Sequence, residues 1–150
     1  MSTPIIRLIK KEDIQQLVIL CKEHAIYEKT EYNSSHKERL LLEHLFPLNE
    51  NIKCIVVEQN HRLLGYSIVL KQFSTWDANF YFYMDCLFLI EEARGKGLGR
   101  MMMEELKKYA LKENYNLQWQ TPKFNTNAIA FYEALGAKHE TKERFFWEIL

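Results

Sequence analysis

The chain has little cysteine, glycine or proline and no excess of either charge. Only three cysteines occur among its 150 residues, Cys21, Cys54 and Cys86, and no two of them form a C-x-x-C pair. This spacing argues against a disulfide framework and against a cysteine-rich zinc site. Five glycines and three prolines leave no flexible linker, so the composition predicts one domain over residues 1–150.

Charge and hydropathy exclude further classes of protein. Twenty basic residues balance twenty acidic ones, so there is no net field to attract nucleic acid or an anionic membrane. No apolar run approaches the roughly 18 residues of a membrane span, and the first residues have no secretory pattern. The five histidines have no metal-ligand spacing. We therefore expect a cytoplasmic protein without a metal that binds neither nucleic acid nor a membrane.

What the chain does contain is strong hydrophobic patterning. Spacing and caps predict four helices, at 13–28, from the Ser35/Glu38 capping box to about Phe46, at 98–112 and at 125–135. Runs rich in β-branched and aromatic residues predict strands at 5–8, 52–58, 63–71, 79–90, 117–121 and 144–150. The order predicts an α/β fold, with a mixed, mostly antiparallel sheet of roughly six or seven strands, helices on both faces and a central parallel β-α-β crossover.

Strand 79–90 carries a single carboxylate, Asp85, among apolar and aromatic residues. Strict alternation along a strand predicts which side chains share a face. The face that carries Asp85 then also carries Tyr81, Tyr83, Leu87 and Leu89.

The most informative segment is a glycine-rich turn between this strand and the next helix, composed of Arg94, Gly95, Lys96, Gly97, Leu98, Gly99 and Arg100. Glycines let backbone N–H groups approach a ligand, and the N-terminus of a helix favours an anion. The turn lacks the G-x-G-x-x-G and G-x-x-x-x-G-K-[ST] patterns, which disfavours dinucleotide-binding and nucleotide-hydrolysing proteins. The turn therefore predicts a cradle for a pyrophosphate. An ordinary strand-to-helix turn with solvated Lys and Arg side chains is the alternative interpretation.

This turn and its setting resemble those of the GNAT superfamily of N-acetyltransferases. Within it the chain is most similar to diamine (spermidine/spermine) and thialysine N-acetyltransferases, through Tyr27-Glu28, 84–99 and 125–137. The resemblance implies acetyl-coenzyme A as cosubstrate, with the amides of 95–100 on its pyrophosphate. It also implies pantetheine contacts from Leu87, Phe88 and Leu89, and a flanking helix start at Asn125, Thr126, Asn127 and Ala128.

Acetyl transfer requires a base and an acid. An alkylamine titrates near 10, so a group must accept its proton before it attacks. The resemblance gives that role to a glutamate one methylene longer than Asp85. It makes Tyr132 the proton donor to the departing thiolate. The alternatives are that Asp85 caps or pairs with a neighbour and that Tyr132 belongs to the core of its helix.

The resemblance also describes the acceptor. It assigns the amine site to Tyr27, Glu28, Asp85, Gln118 and Gln120. We expect direct attack, in a ternary complex, by a primary amine of a small cationic diamine, polyamine or lysine-like molecule. An amino acid, an antibiotic or a protein N-terminus is the alternative acceptor, and a non-catalytic coenzyme A-binding module is the alternative function. The resemblance further implies a homodimer, for which the aromatic segment 145–147 supplies a sticky edge.

Overall fold

The computed structural model describes residues 2–150, which form two units. The first ends at Gln120 and the second is Thr121–Leu150. A sheet of five strands, each hydrogen-bonded to the next, belongs to the first unit: β1 (Ile5–Leu8), β2 (Ile52–Gln59), β3 (Arg62–Ser74), β4 (Asn79–Leu89) and β5 (Leu117–Trp119). The first four strands pair antiparallel, and β5 pairs parallel with β4.

Four helices accompany the strands: α1 (Ile14–Tyr27), α2 (Lys37–Leu45), α3 (Leu98–Glu113) and, in the second unit, α4 (Thr126–Ala134). Helix α3 connects the parallel strands β4 and β5. It buries Leu98, Met102, Leu106 and Ala110, and this spacing is that of an amphipathic helix. Among residues 2–150, none of the helices combines the length and the apolar composition of a membrane span.

Helices cover both faces of the sheet in the first unit. Residues 54–57 of β2 are each at most 1% exposed, and consecutive strand residues point to opposite faces. On one face, His24 of α1 contacts Tyr66 of β3. On the other, Lys53 lies over the ring of Tyr109 of α3. The core therefore lies on both sides of β2 and β3.

Strand β4 contains a bulge at Asp85, which overturns the predicted alternation. The register pairs Ile68 with Cys86 and Val69 with Met84, so the residue between them has no direct partner on β3. After one extra residue, each following side chain of the strand points to the face opposite the one that strict alternation predicts. Residues 81 and 83 therefore share a face with 86 and 88, because each lies opposite an even-numbered residue of β3, and not with 87 and 89 as alternation predicts.

Two predictions about the sheet differ from the structure, namely the number of strands and the position of the parallel pair. Five strands are present among the described residues, not six or seven, because residues 137–150 contain none. The predicted strand 144–150 is therefore wrong, and the side chains of Phe145 and Trp147 are each 91% exposed. The parallel pair β4–β5 lies at one edge of this sheet and not at its centre.

The start of α2 also differs. The predicted capping box at Ser35 does not form, since the N-cap is His36, with a left-handed φ of 64° and no side-chain cap hydrogen bond. Instead the Ser35 N–H donates to Asn33 Oδ1 at 2.9 Å. A local turn of this kind competes with the cap for the same backbone group.

Candidate active site

The edge of β4 beyond β5 has no strand partner in the first unit. Strand β5 pairs with β4 only at Phe82, Tyr83 and Met84, so β4 continues through residues 85–89 without a β5 partner. Backbone N–H and C=O groups in such a segment need partners, and an amide-bearing ligand can add to the edge like another strand. The residues predicted to contact pantetheine, 87–89, all lie in this segment.

Asp85 lies where the two parallel strands separate. It is the extra residue of the bulge and its side chain is exposed. Bulges re-aim side chains and are common beside active sites. The predicted amine-site residue Gln118 is also exposed and lies opposite Tyr83 in the parallel ladder, while Gln120 follows one residue beyond β5. The structure therefore brings these polar side chains to the point of separation.

The glycine-rich turn ends as an uncapped helix N-terminus. Gly97 is the N-cap of α3, with a left-handed φ of 80° and no side-chain cap hydrogen bond. Met101 N–H donates to Gly97 O at 3.1 Å, which is the first i to i−4 bond of the helix. The N–H groups of residues 98–100 therefore precede the helical ladder. No acidic side chain lies in the first turn, so the site suits a pyrophosphate.

Arg94 contacts the end of α1 instead of extending from the turn. Its Nε donates to Leu89 O at 3.0 Å. Its guanidinium carbon lies 4.5 Å from the ring centroid of Tyr27 and 5.6 Å from that of Phe88. The side chain therefore fixes the turn against α1 and β4, and the charges of Lys96 and Arg100, both exposed, remain at the helix N-terminus.

The predicted amine-site residues Tyr27 and Glu28 end α1 beside a cluster built around Phe88. The Phe88 ring stacks on His24 at 4.9 Å between centroids and 21° between planes, and it lies 6.3 Å from each of the rings of Tyr27 and Tyr66. His24 Nδ1 lies 2.7 Å from the Tyr66 hydroxyl, and Nε2 lies 3.3 Å from Glu28 Oε1. The cluster thus joins α1, β3 and β4.

Burial sets the charge states within this cluster. It lowers the pKa of His24 below the ordinary 6.5 although Glu28 opposes the shift, and it raises the pKa of Tyr66. The imidazole is therefore neutral at neutral pH. An ionised carboxylate only accepts hydrogen bonds, so we assign the ring proton to Nε2, facing Glu28, and the Tyr66 hydroxyl as donor to Nδ1.

His24 and Tyr66 contact the predicted site residues Glu28 and Phe88, and the sequence did not single them out. The histidine is spaced i, i+4 from Glu28 on one helix, and this spacing is a usable signal. The tyrosine has no such local signal, because its partner is 42 residues away along the chain.

The remaining predicted residues belong to the second unit. Asn125 is 8% exposed and caps α4, because its Oδ1 accepts the N–H of Ala128 at 3.2 Å. Thr126 and Asn127 form the first turn between them. Tyr132 lies on α4 with its ring 5.2 Å from that of Phe131. Among residues 2–150, no group of three or more His, Cys, Asp or Glu side chains is placed to hold a metal.

Comparisons with known proteins identify the family of the chain. The family model of the acetyltransferase (GNAT) family matches residues 14–137. Thialysine N-epsilon-acetyltransferase of Sus scrofa is 26% identical over 156 residues, covering 95% of this chain and 88% of that protein. L-ornithine N5-acetyltransferase of Arabidopsis thaliana is 31% identical over 75 residues, or 49% of this chain and 33% of that protein.

A solved structure extends the similarity to the whole fold. An aminoglycoside N-acetyltransferase in complex with CoA matches with a TM-score of 0.81 at 13% identity, covering 100% of this chain and 97% of that chain. The resemblance on which the sequence prediction depended is confirmed by the family match. The chain belongs to the acetyltransferase (GNAT) family and is an acyl-coenzyme A-dependent N-acetyltransferase.

Proposed function

We propose that the protein transfers the acetyl group of acetyl-coenzyme A to a primary amine of a small cationic diamine, polyamine or lysine-like molecule. The observation that carries this proposal is the uncapped N-terminus of α3 after the open segment 85–89 of β4. A helix N-terminus attracts the pyrophosphate, and an open strand edge accepts the amides of pantetheine. The acceptors that name the two relatives, thialysine and L-ornithine, both carry a primary amine.

Transfer proceeds in one complex of enzyme, acetyl-coenzyme A and amine. The exposed carboxylate of Asp85 accepts a proton from the ammonium through water, which leaves a neutral amine. That amine attacks the thioester carbonyl, so a C–N bond forms and the C–S bond breaks. The tetrahedral adduct releases its second amine proton to solvent as the C–S bond breaks, and the departing thiolate takes the Tyr132 phenolic proton. Exchange with solvent then reprotonates the phenolate and deprotonates Asp85.

Acidic and aromatic side chains at the end of α1 support a cationic acceptor. Glu28 is partly exposed and Tyr27 presents an aromatic ring beside it. A second ammonium group on the acceptor is attracted by a carboxylate and by the face of an aromatic ring, so both strengthen its binding. We assign Gln118 and Gln120 as hydrogen-bonding residues of the same site, because they are exposed beside Asp85 where β5 ends.

A thiol-release assay with a panel of amines tests the proposal. The panel includes diamines, lysine analogues, neutral amino acids, aminoglycosides and peptides with free N-termini. We expect the highest kcat/KM with a diamine, a polyamine or a lysine analogue. Preference for another class would correct the acceptor. Tight binding of acetyl-coenzyme A with no transfer to any amine would favour a non-catalytic binding module.

The proposal includes the assembly and the compartment. A homodimer is supported by the exposed apolar residues of the C-terminal segment, of which Phe146 is 72% and Ile149 80% exposed. The cytoplasm is supported by three free cysteines, which suit a reducing compartment.

A further inference from the structure

The end of α1 carries a histidine that the acid and base of the transfer do not use. The His24 side chain is only 14% exposed, and its two ring nitrogens face two different partners. Such a buried polar side chain is costly unless its hydrogen bonds are satisfied. Tyr66 and Glu28 satisfy both nitrogens, and Phe88 fixes the plane of the ring.

Glu28 is the exposed end of this arrangement. Its backbone N–H donates to His24 O at 3.0 Å, which fixes its main chain as the C-cap of α1. Its side chain is 35% exposed, while Oε1 faces the imidazole. A carboxylate has about four lone-pair sites, so contact with His24 leaves capacity for a ligand.

We propose that His24 is a positioning residue for amine recognition, which holds the Glu28 carboxylate in the orientation that binds the second cationic group of the acceptor. The inference rests on the proposed function. A glutamate that is already held loses less rotamer freedom when a ligand binds. Tyr66 is part of the same arrangement. Its hydroxyl donates to His24 Nδ1 and so favours the His24 tautomer whose Nε2–H donates to Glu28.

The charges around His24 make this arrangement sensitive to pH. Glu28 faces it from α1, Tyr66 from β3, Asp85 from β4 and Arg94 from the glycine-rich turn. A protonated imidazole would form a full ion pair with Glu28 and compete with the acceptor's ammonium. Recognition of a second cationic group is therefore expected to weaken in acid.

The test uses two matched amines, 1,4-diaminobutane and butylamine, and three variants. His24→Leu removes both hydrogen bonds. His24→Gln replaces the Nε2 donor that faces Glu28, and His24→Asn replaces only the Nδ1 acceptor that faces Tyr66. For His24→Leu we expect the KM of the diamine to rise roughly tenfold, the immobilisation cost of one flexible side chain, with kcat unchanged. The KM of butylamine stays within about twofold, because butylamine has no second ammonium.

The conservative variants separate positioning from a structural role. We expect His24→Gln to recover most of the diamine KM and His24→Asn to recover little. Thermal stability and the Kd of coenzyme A, measured for each variant, report the structural cost. Equal changes for both amines, or equal recovery by both conservative variants, would overturn the proposal.

A binding experiment that needs no acetyl transfer tests this inference independently of the proposed function. The imidazole signals of His24 are followed by NMR while 1,4-diaminobutane is added to the wild type and to Glu28→Gln. We expect a saturable shift in the wild type that is lost in the variant. If no amine of the panel is acetylated, the proposed function is wrong, and the NMR titration alone decides the inference. Absence of a shift in the wild type overturns the inference.

Discussion

The exposure of the Asp85 side chain depends on the two strands that neighbour β4. A strand of aromatic and branched residues would leave an isolated carboxylate on one of its faces by alternation alone. The bulge removes this residue from the β3 ladder, and β5 ends just before it, so the side chain is exposed. This exposure is the observation on which the proposed role of Asp85 as a base acting through water depends.

Substitution of Tyr132 gives the most specific prediction for a single residue. A positioned general acid contributes about 10²-fold or more to turnover, so we expect Tyr132→Phe to lower kcat by at least that factor. The ring and its packing beside Phe131 are retained, and thermal unfolding measures the structural cost of removing the hydroxyl. Stopped-flow thiol release with the best amine of the panel measures the effect. Phe131→Leu is the control for packing on the same helix, and unchanged turnover in Tyr132→Phe would remove the phenol from the mechanism.

At the scale of elements, the backbone conformation of the turn before α3 determines where the N–H groups that bind the ligand lie. Gly97 has a φ of 80°, where a β-branched residue costs about 1–2 kcal/mol, although a Cβ there would meet no atom within 4 Å. We expect Gly97→Val to fold but to bind acetyl-coenzyme A roughly tenfold more weakly, because relief of the strain moves the amides of 98–100. Calorimetry measures the Kd.

The control for this variant lies at the other end of the same helix. Asn114 is the C-cap of α3, has a φ of 59°, and lies about 26 Å from Gly97 along the axis of this helix. Asn114→Val imposes a similar backbone strain, so we expect a similar loss of stability without a change in Kd. Equal effects of the two variants on the Kd would show that the cradle has no special role.

The junction of β1 and α1 gives a pH prediction. Burial alone would raise the pKa of Asp13, but hydrogen bonds from Arg7 and from Lys10 N–H outweigh it and hold the pKa below the ordinary 3.8. A carboxyl whose pKa is lowered by folding stabilises the fold above its unfolded pKa, and this contribution is lost as the pH falls through the folded pKa. The wild type therefore loses stability below about pH 4 to 5.

Asp13→Asn tests that contribution. We expect the variant to be about 3 kcal/mol less stable at pH 7, as for a broken buried ion pair, and to have a flatter profile between about pH 5 and 2. Urea unfolding over that range measures both. Glu43→Gln breaks an exposed pair with Arg39 and is expected to change the free energy of unfolding by less than about 0.5 kcal/mol. An unaltered pH profile in Asp13→Asn would contradict the assignment.

Whether an element could be predicted from sequence depends on how local its cause is. The turn 94–100 and α3 were predictable because glycine conformation and apolar spacing act within a few residues. The bulge at Asp85 and the pairing of His24 with Tyr66 depend on β3, which is distant along the chain. The predicted strand 144–150 failed for a related reason, since aromatic residues favour a strand only when a partner strand is present.

Across the whole molecule, the exposed C-terminal aromatics make assembly the property to test. Phe145, Phe146 and Trp147 are 91, 72 and 91% exposed, and soluble monomers rarely expose several large apolar side chains together. We expect the wild type to sediment as a dimer and a Phe145→Ser/Trp147→Ser variant to sediment as a monomer.

Trp76 supplies the matched control for this experiment. It is 99% exposed in the connection between β3 and β4, so Trp76→Ser removes an exposed indole without touching the C-terminal segment. We expect this variant to remain a dimer. A wild type that sediments as a monomer, or a double variant that stays dimeric, would mean that these aromatics do not form an interface between copies. Because association is driven by the apolar surface removed from water at the interface, loss of Phe145 and Trp147 should shift the equilibrium and loss of Trp76 should not.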